Sequence, residues 1–284
     1  MSLRITLPGT DFSGLGLPTL ETFIEGFPGG SDLRVLALFA DGAVGSPHPG
    51  PYLNSARPTE PLTLMTGRVA PLRQSFGLEV TDPNGLILQS SQIAAGSFTL
   101  VYAVRVDASG VAGHFPTFFA SSEDAYPVSP TESHTNAPFP CVNFDARQVA
   151  DAGTYGIYDR DRILVSGSSR PLVLSAATAS TGDWAIHGLQ IDTDNAIARH
   201  CSVSGGEVSV ANPAIPAFFD AAARTGTFLF GAWPHSTVRP STAPFALVGG
   251  FALYAGAISS PRFTVAIQAM ARFMAARGAS IPGF

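Results

Sequence analysis

The sequence predicts an all-β sandwich closed by one short C-terminal helix, and three observations carry that prediction. The 284-residue chain holds 29 glycines and 23 prolines, the punctuation that many short strands joined by turns require. Apolar residues recur at period two in short runs, most plainly over Phe98–Val106, the pattern of a β-strand. A sustained helical pattern occurs only after Pro261, so strands do not alternate with helices of about 10–15 residues as a parallel α/β sheet demands. A chain of this length buries a sizeable core without disulfide staples.

Residues 1–32 differ from the rest. The run L-R-I-T-L suits a short strand, but G-T-D-F-S-G-L-G-L-P and G-F-P-G-G-S are loop material. This part reads either as an arm packing on the domain or a neighbouring subunit, or as a first strand with long loops. The organisation expected is an N-terminal arm over 1–32 and one sandwich domain over 33–284.

From there strand signals recur. Val35–Phe39 is a short buried strand, and a loop through His48, Tyr52 and Asn54 follows it. Gly85–Ser90 precedes Ile93–Val106, where Phe98, Leu100, Tyr102, Val104 and Val106 share one face. Val101 and Ala103 make the other face apolar too, which predicts a central strand covered on both sides. His114–Ser121 and Pro140–Phe144 are further strands, separated by a polar loop over Ser122–Pro138. Gly153–Tyr158 and Arg162–Ser166 flank the charged tetrad Asp159–Arg162, and Leu172–Ala176 continues the series. The clearest hairpin is Trp184–Ile191, the turn Asp192–Asn195, then Ile197–Val203. Gly205 and Gly206 turn the chain again into Val208–Val210, and Ala217–Arg224 suits a turn or two of helix. Thr227–Ala232 and Phe245–Tyr254 close the list. Ser260 is positioned to cap the final helix with Pro261 at its first position. Phe263, Ile267, Met270 and Met274 form one apolar stripe, and Gly278 supplies a left-handed end.

Charged residues are only 13% of the chain, about half the usual roughly 25%. All 16 basic residues are arginine; their scatter reads as the codon bias of a GC-rich genome rather than as bidentate recognition. A net charge of -5 without a basic cluster excludes a nucleic-acid partner. Twenty phenylalanines mark a folded chain. Low surface charge suits a subunit that hides surface in an assembly, so a homo-oligomer is expected. No apolar run is long enough for membrane insertion. Pro8 and Gly9 break the opening before a signal peptide could form, so synthesis in the cytoplasm is expected. Cys141 and Cys201 read as buried small hydrophobes; a cross-strand disulfide is the alternative for a protein acting outside a cell.

The order of these features resembles the concanavalin A-like lectin/glucanase superfamily in its laminin-G-like branch. G-S-F-T-L-V-Y-A-V-R-V is similar to that family's early core strand, and G-D-W-A-I-H-G-L-Q-I-D to the strand beginning with a buried tryptophan. The following hairpin and glycine turn match in position, and G-T-F-L-F-G-A-W and A-L-V-G-G-F-A-L-Y-A-G-A-I-S resemble its last two strands before the helix. The resemblance covers about Leu33–Arg277 and implies a jelly-roll sandwich. The E-x-D-x-x-E strand of the laminarinase-type glycosidases is absent, as is the compact D-x-[FY]-x-N-x-x-x-D calcium loop, so fold is implied more than activity. The opening M-S-L-R-I-T-L-P-G-T-D-F-S-G-L-G is similar to virion proteins of tailed phages and phage-like particles, in which such modules serve as spikes, fibres or decorations.

Sugar binding uses exposed aromatic rings as stacking platforms beside amides and carboxylates. Trp233, in G-A-W-P-H-S at a strand end, is the first candidate, with His235, Tyr126 and Tyr52 behind it. For Trp233, packing against the loop's own prolines or a neighbouring subunit stands equal to a ligand role; Trp184 reads as core. Retaining glycoside hydrolysis needs two carboxylates about 5–5.5 Å apart. The available acids include Glu123, Asp124, Asp159, Asp161, Asp192 and Asp194; Asp159 and Asp161, at i and i+2, would share a strand face, but Arg160 and Arg162 beside them favour a charge-balanced turn. The D-T-D-N turn could offer oxygen ligands to calcium through Asp192 and Asp194, though Asp and Asn are also the best turn formers. His187 and His200 sit on facing arms of the hairpin and could approach each other; without a cysteine or carboxylate partner they read as plain strand residues rather than a metal site. No metal site, catalytic residue or cofactor is expected.

The expectation is therefore a non-enzymatic carbohydrate- or receptor-binding or structural subunit on the surface of a phage or phage-like particle. Its expected partners are other virion subunits and host-surface polysaccharide. A purely structural decoration is the alternative, and a glycan-degrading enzyme the third reading.

Overall fold

The computed structural model describes residues 26–40, 43–64, 69–81, 87–90, 96–106, 117–118, 141–146, 152–158, 172–177, 182–203, 206–213, 215–219, 228–231 and 244–284. Fifteen strands run in chain order: β1 Leu33–Leu38, β2 Thr63–Leu64, β3 Arg73–Gln74, β4 Gly77–Thr81, β5 Ile87–Ser90, β6 Phe98–Val106, β7 Thr117–Phe118, β8 Cys141–Ala146, β9 Ala152–Tyr158, β10 Leu172–Ala177, β11 Trp184–Asp192, β12 Ile197–Ser202, β13 Gly206–Ala211, β14 Phe228–Gly231 and β15 Pro244–Ala255. Among the described residues the helices are α1 Ile215–Phe218 and α2 Ser260–Ala276.

Every pairing is antiparallel, and the strands form two sheets. The first runs β13-β12-β11-β6-β15-β4-β3 with β1 also on β15; the second runs β10-β9-β8-β7-β14-β5-β2. The predicted sandwich is what the chain forms. Its inner core packs the alternate residues Phe98, Leu100, Tyr102 and Val104 of β6 against Leu189, Ile191, Val248, Phe251 and, from the second sheet, Phe230. The Phe230 and Phe251 rings stack with centroids 4.0 Å apart, joining the two sheets at their middle.

The other face of the first sheet is apolar because α2 lies on it. Val101, Ala103, Trp184 and Ile186 meet Phe263, Ile267, Met270, Phe273 and Met274 in a second buried cluster. Each such large side chain contributes about 1.5–3 kcal/mol on burial, so the helix is held by its stripe. Gly188 of β11 leaves the room: a Cβ there would lie 2.5 Å from the Phe263 ring and 2.9 Å from Ile267. The helix begins one residue earlier than its expected cap. Ser259, not Ser260, is the N-cap; it makes no side-chain cap bond, while Ser260 accepts a hydrogen bond from Arg199 at 2.9 Å. At the far end Gly278, at φ 90°, ends the helix as the sequence predicts, with Gly278 N–H donating to Ala275 and Ala279 N–H to Met274.

The last residues of the expected arm pack on the domain. Phe27 is buried in the helix-side cluster, and Asp32 receives both Nη atoms of Arg262, at 2.6 and 3.0 Å. That paired guanidinium holds the Asp32 carboxyl below its ordinary range. Residues 1–25, and the expected strand Arg162–Ser166, lie outside the described residues.

Candidate functional site

Strand directions sort the connections between the two ends of the sandwich. β14 ends at Gly231 in the second sheet and β15 begins at Pro244 in the first; Trp233 and His235 belong to the sequence between these two ends. Pro244 is registered with Thr81 of β4, and Gly231 with Ile87 of β5. Ala246 is registered with Val106, where β6 ends. The described ends flanking 82–86, 107–116 and 232–243 therefore meet at one end of the sandwich. Tyr126 belongs to the connection between β7 and β8, which leaves Phe118 in the direction opposite to β14. Its flanking strand ends lie at the other end. Trp233, His235 and Tyr126 themselves lie outside the described residues, as do Glu123, Asp124, Asp159 and Asp161.

Tyr52 is placed, and its place corrects the sequence reading. It is 2% exposed, its ring sits edge-on to Phe39 with centroids 5.9 Å apart, and its hydroxyl donates to the His48 carbonyl. It offers no ring face to a sugar. The segment read as a loop through His48, Tyr52 and Asn54 is stitched into the sheets through bridges Pro47–Leu72 and Tyr52–Leu62. Asn54 anchors it: Oδ1 accepts from Leu36 N–H at 3.0 Å and Ala56 N–H at 3.1 Å, and Nδ2 donates to the Arg34 carbonyl at 3.1 Å.

In the D-T-D-N turn the Asp192 carboxylate is spent within the turn, and Thr193 Oγ1 lies 2.9 Å from Ser97 Oγ. Asp192 Oδ1 accepts from the Asn195 backbone N–H at 3.0 Å and Oδ2 from Asn195 Nδ2 at 2.8 Å, the local bonding that makes Asp a turn former. Among the described residues no three His, Cys, Asp or Glu side chains cluster as metal ligands would. Cys201 is a free, half-buried thiol; burial and the Glu207 carboxylate push its pKa up, which makes it a poor nucleophile.

The hairpin histidines do meet. His187 on β11 and His200 on β12 point into the space between the sheets, each 1% exposed. His187 Nδ1 and His200 Nε2 are 3.0 Å apart, and the His187 ring lies 5.5 Å from that of Tyr102. Burial pushes His200 from 6.5 to about 4; burial, then the neighbouring His200, pushes His187 well below its ordinary value. Two neutral imidazoles suit the geometry, one ring N–H facing the other's lone pair. The pair is closed to solvent and serves the core.

No family model matches the chain, and no curated protein sequence is similar to it. Solved structures share the fold. The botulinum neurotoxin serotype D binding domain is 6% identical, with a TM-score of 0.50 over 84% of this chain and 50% of that one. A tryptophan-to-alanine mutant of HCR/D is 7% identical, with a TM-score of 0.52 over 85% of this chain and 51% of that one. A sialidase of Trypanosoma rangeli is 12% identical over 86% of this chain and 33% of its own, at a TM-score of 0.49. The chain thus spans about half of the neurotoxin binding domain and of HCR/D, and a third of the sialidase. At identities this low the likeness is one of fold.

Proposed function

We propose that the chain is a non-enzymatic binding subunit that contacts carbohydrate through the connection between β14 and β15, with Trp233 as the stacking ring and His235 beside it. The observation that supports this most is where the described flanks of that connection lie: Gly231 and Pro244 are registered with the strand ends Ile87 and Thr81, at the end where β6 also stops at Val106. An indole and an imidazole two residues apart in sequence are the residue types a sugar site uses for stacking and hydrogen bonding. The botulinum neurotoxin serotype D binding domain shows a sandwich of this fold in a binding role. The opening sequence's resemblance to virion proteins supports extending this reading to a subunit of a phage or phage-like particle whose target is a host-envelope polysaccharide. Weak single sites multiplied over many copies would then give tight attachment. A glycan array probed with the full chain and with Trp233→Ala tests this, and release of reducing ends from a bound glycan would overturn the non-enzymatic part. A second reading, a structural decoration that meets other subunits, is favoured by β13, whose outer side pairs with no strand among the described residues.

A further inference from the structure

Sheets in single domains carry protected edges: short strands, charges, prolines or bulges that discourage a second chain from pairing. In this protein β3 and β2, which end the two sheets on one side, are two residues each. β13, which ends the first sheet on the other side, has a single charge, Glu207, and none of the other devices. It is Gly-Glu-Val-Ser-Val-Ala, six residues long, with one charge, no proline and an unbroken register on β12 from Gly206 to Ala211. Among the described residues no strand pairs with its far side. Glu207, Val208, Ser209 and Ala211 are exposed, and Val208, a large apolar residue, is 37% exposed.

The direction of its backbone groups follows from one bond. Asn212 N–H donates to the Ala196 carbonyl at 2.8 Å, continuing the register in which Ala211 faces Ile197. Hydrogen-bonded and non-bonded pairs alternate along an antiparallel ladder, so Val210, Val208 and Gly206 spend their backbone groups on β12. Glu207, Ser209 and Ala211 aim theirs outward.

We infer that β13 is a self-pairing edge, joining two copies of this chain through an antiparallel β13–β13 ladder with its two-fold axis at Ser209. In that register Ser209 faces the partner's Ser209, and Glu207 faces the partner's Ala211. The outward groups of all three residues then match, giving about six inter-chain hydrogen bonds. Val208 faces the partner's Val210, so the exposed valine gains a β-branched cross-strand neighbour. Val210 packs against the inner core, which puts the valine pair on the core side of a sheet that runs on from one copy into the next. A shift of the register by two residues toward the strand start loses part of the ladder, and a shift by four sets Glu207 against Glu207, a like-charge pair that disfavours it. Low overall charge, 13% of residues, leaves little repulsion against this isologous contact. The inference concerns assembly and stands apart from the glycan reading: either can fail without the other.

Sedimentation velocity on the full chain, across a dilution series, tests it. The wild type sediments as a dimer at micromolar concentration. Ser209→Pro removes an N–H that the isolated sandwich does not use, a change tolerated on an outward-facing edge, and raises the dimer dissociation constant at least about tenfold. Ser209→Lys sets two ammonium groups together at the axis and does the same, with wild-type circular dichroism and melting for both variants. A wild type that stays monomeric at tens of micromolar, or a dimer unmoved by Ser209→Lys, overturns the inference.

Discussion

Acidification should unlock the core through the His187–His200 pair. In the folded chain both imidazoles are buried and neutral, held 3.0 Å apart; in the unfolded chain each takes a proton near 6.5. Between those values the unfolded state binds more protons than the folded one, so stability is fully present above about pH 6.5 and falls as the pH drops. For His200 the fall runs down to its folded value of about 4. Those roughly 2.5 units at 1.36 kcal/mol each come to about 3 kcal/mol, and His187 adds to that in the same direction. Against a typical total of about 5–15 kcal/mol, this is a large share. Carboxylates such as Asp32 also lose stability in acid, so a control must isolate the pair. Replacing both histidines by glutamine keeps polar side chains that can bond to each other but cannot titrate. Urea denaturation at pH 7 and pH 4 should show the wild type losing at least about 3 kcal/mol more than His187→Gln/His200→Gln. Equal losses in the two proteins, or a resonance assigned to His187 or His200 that titrates near 6.5, would overturn this prediction.

Two further stability predictions follow from packing and bonding. Gly188→Ala drives a methyl group into the Phe263 ring and should cost about 1–3 kcal/mol as α2 lifts from the sheet; a smaller loss in Gly188→Ala/Phe263→Leu than the sum of the single changes would be the sign of that contact. Asn54→Ala strips partners from the Leu36 and Ala56 N–H groups and should cost about 1–3 kcal/mol per buried group left unmet, read as a lower urea midpoint with the m-value unchanged.

The strongest elements were legible because one physical signal dominated each. The doubly apolar β6 requires cover on both faces, and the structure supplies the second sheet on one and α2 on the other. The stripe Phe263, Ile267, Met270, Met274 is buried throughout. The segment from Val44 to Leu64 was not legible. There the alternation runs against hydrophobicity, with Leu53 exposed and Asn54 buried, because Asn54 is spent on backbone bonds to β1 rather than on solvent. The short strands β2 and β3 carry too few residues for a period to show, and β4 is broken from its neighbours by the turn at Ser75 and Phe76. Tyr52 looked available for the same reason: a tyrosine between prolines reads as a loop residue, and only the bridge to Leu62 reveals that it is core. The helix cap slipped by one residue because adjacent serines, Ser259 and Ser260, are equivalent in sequence and differ only in backbone angles. The histidine pair was legible as a proximity, from the hairpin register alone, but its burial depended on the second sheet.

The measurement closest to the central claim is binding of the full chain to an array of envelope polysaccharides, run beside Trp233→Ala at matched concentration and with matched melting. The account predicts a specific set of bound glycans for the wild type, with signal reduced at least about tenfold in the variant, the loss of one stacking ring. A wild type that binds none of them, or a variant that binds as well as the wild type, would contradict it.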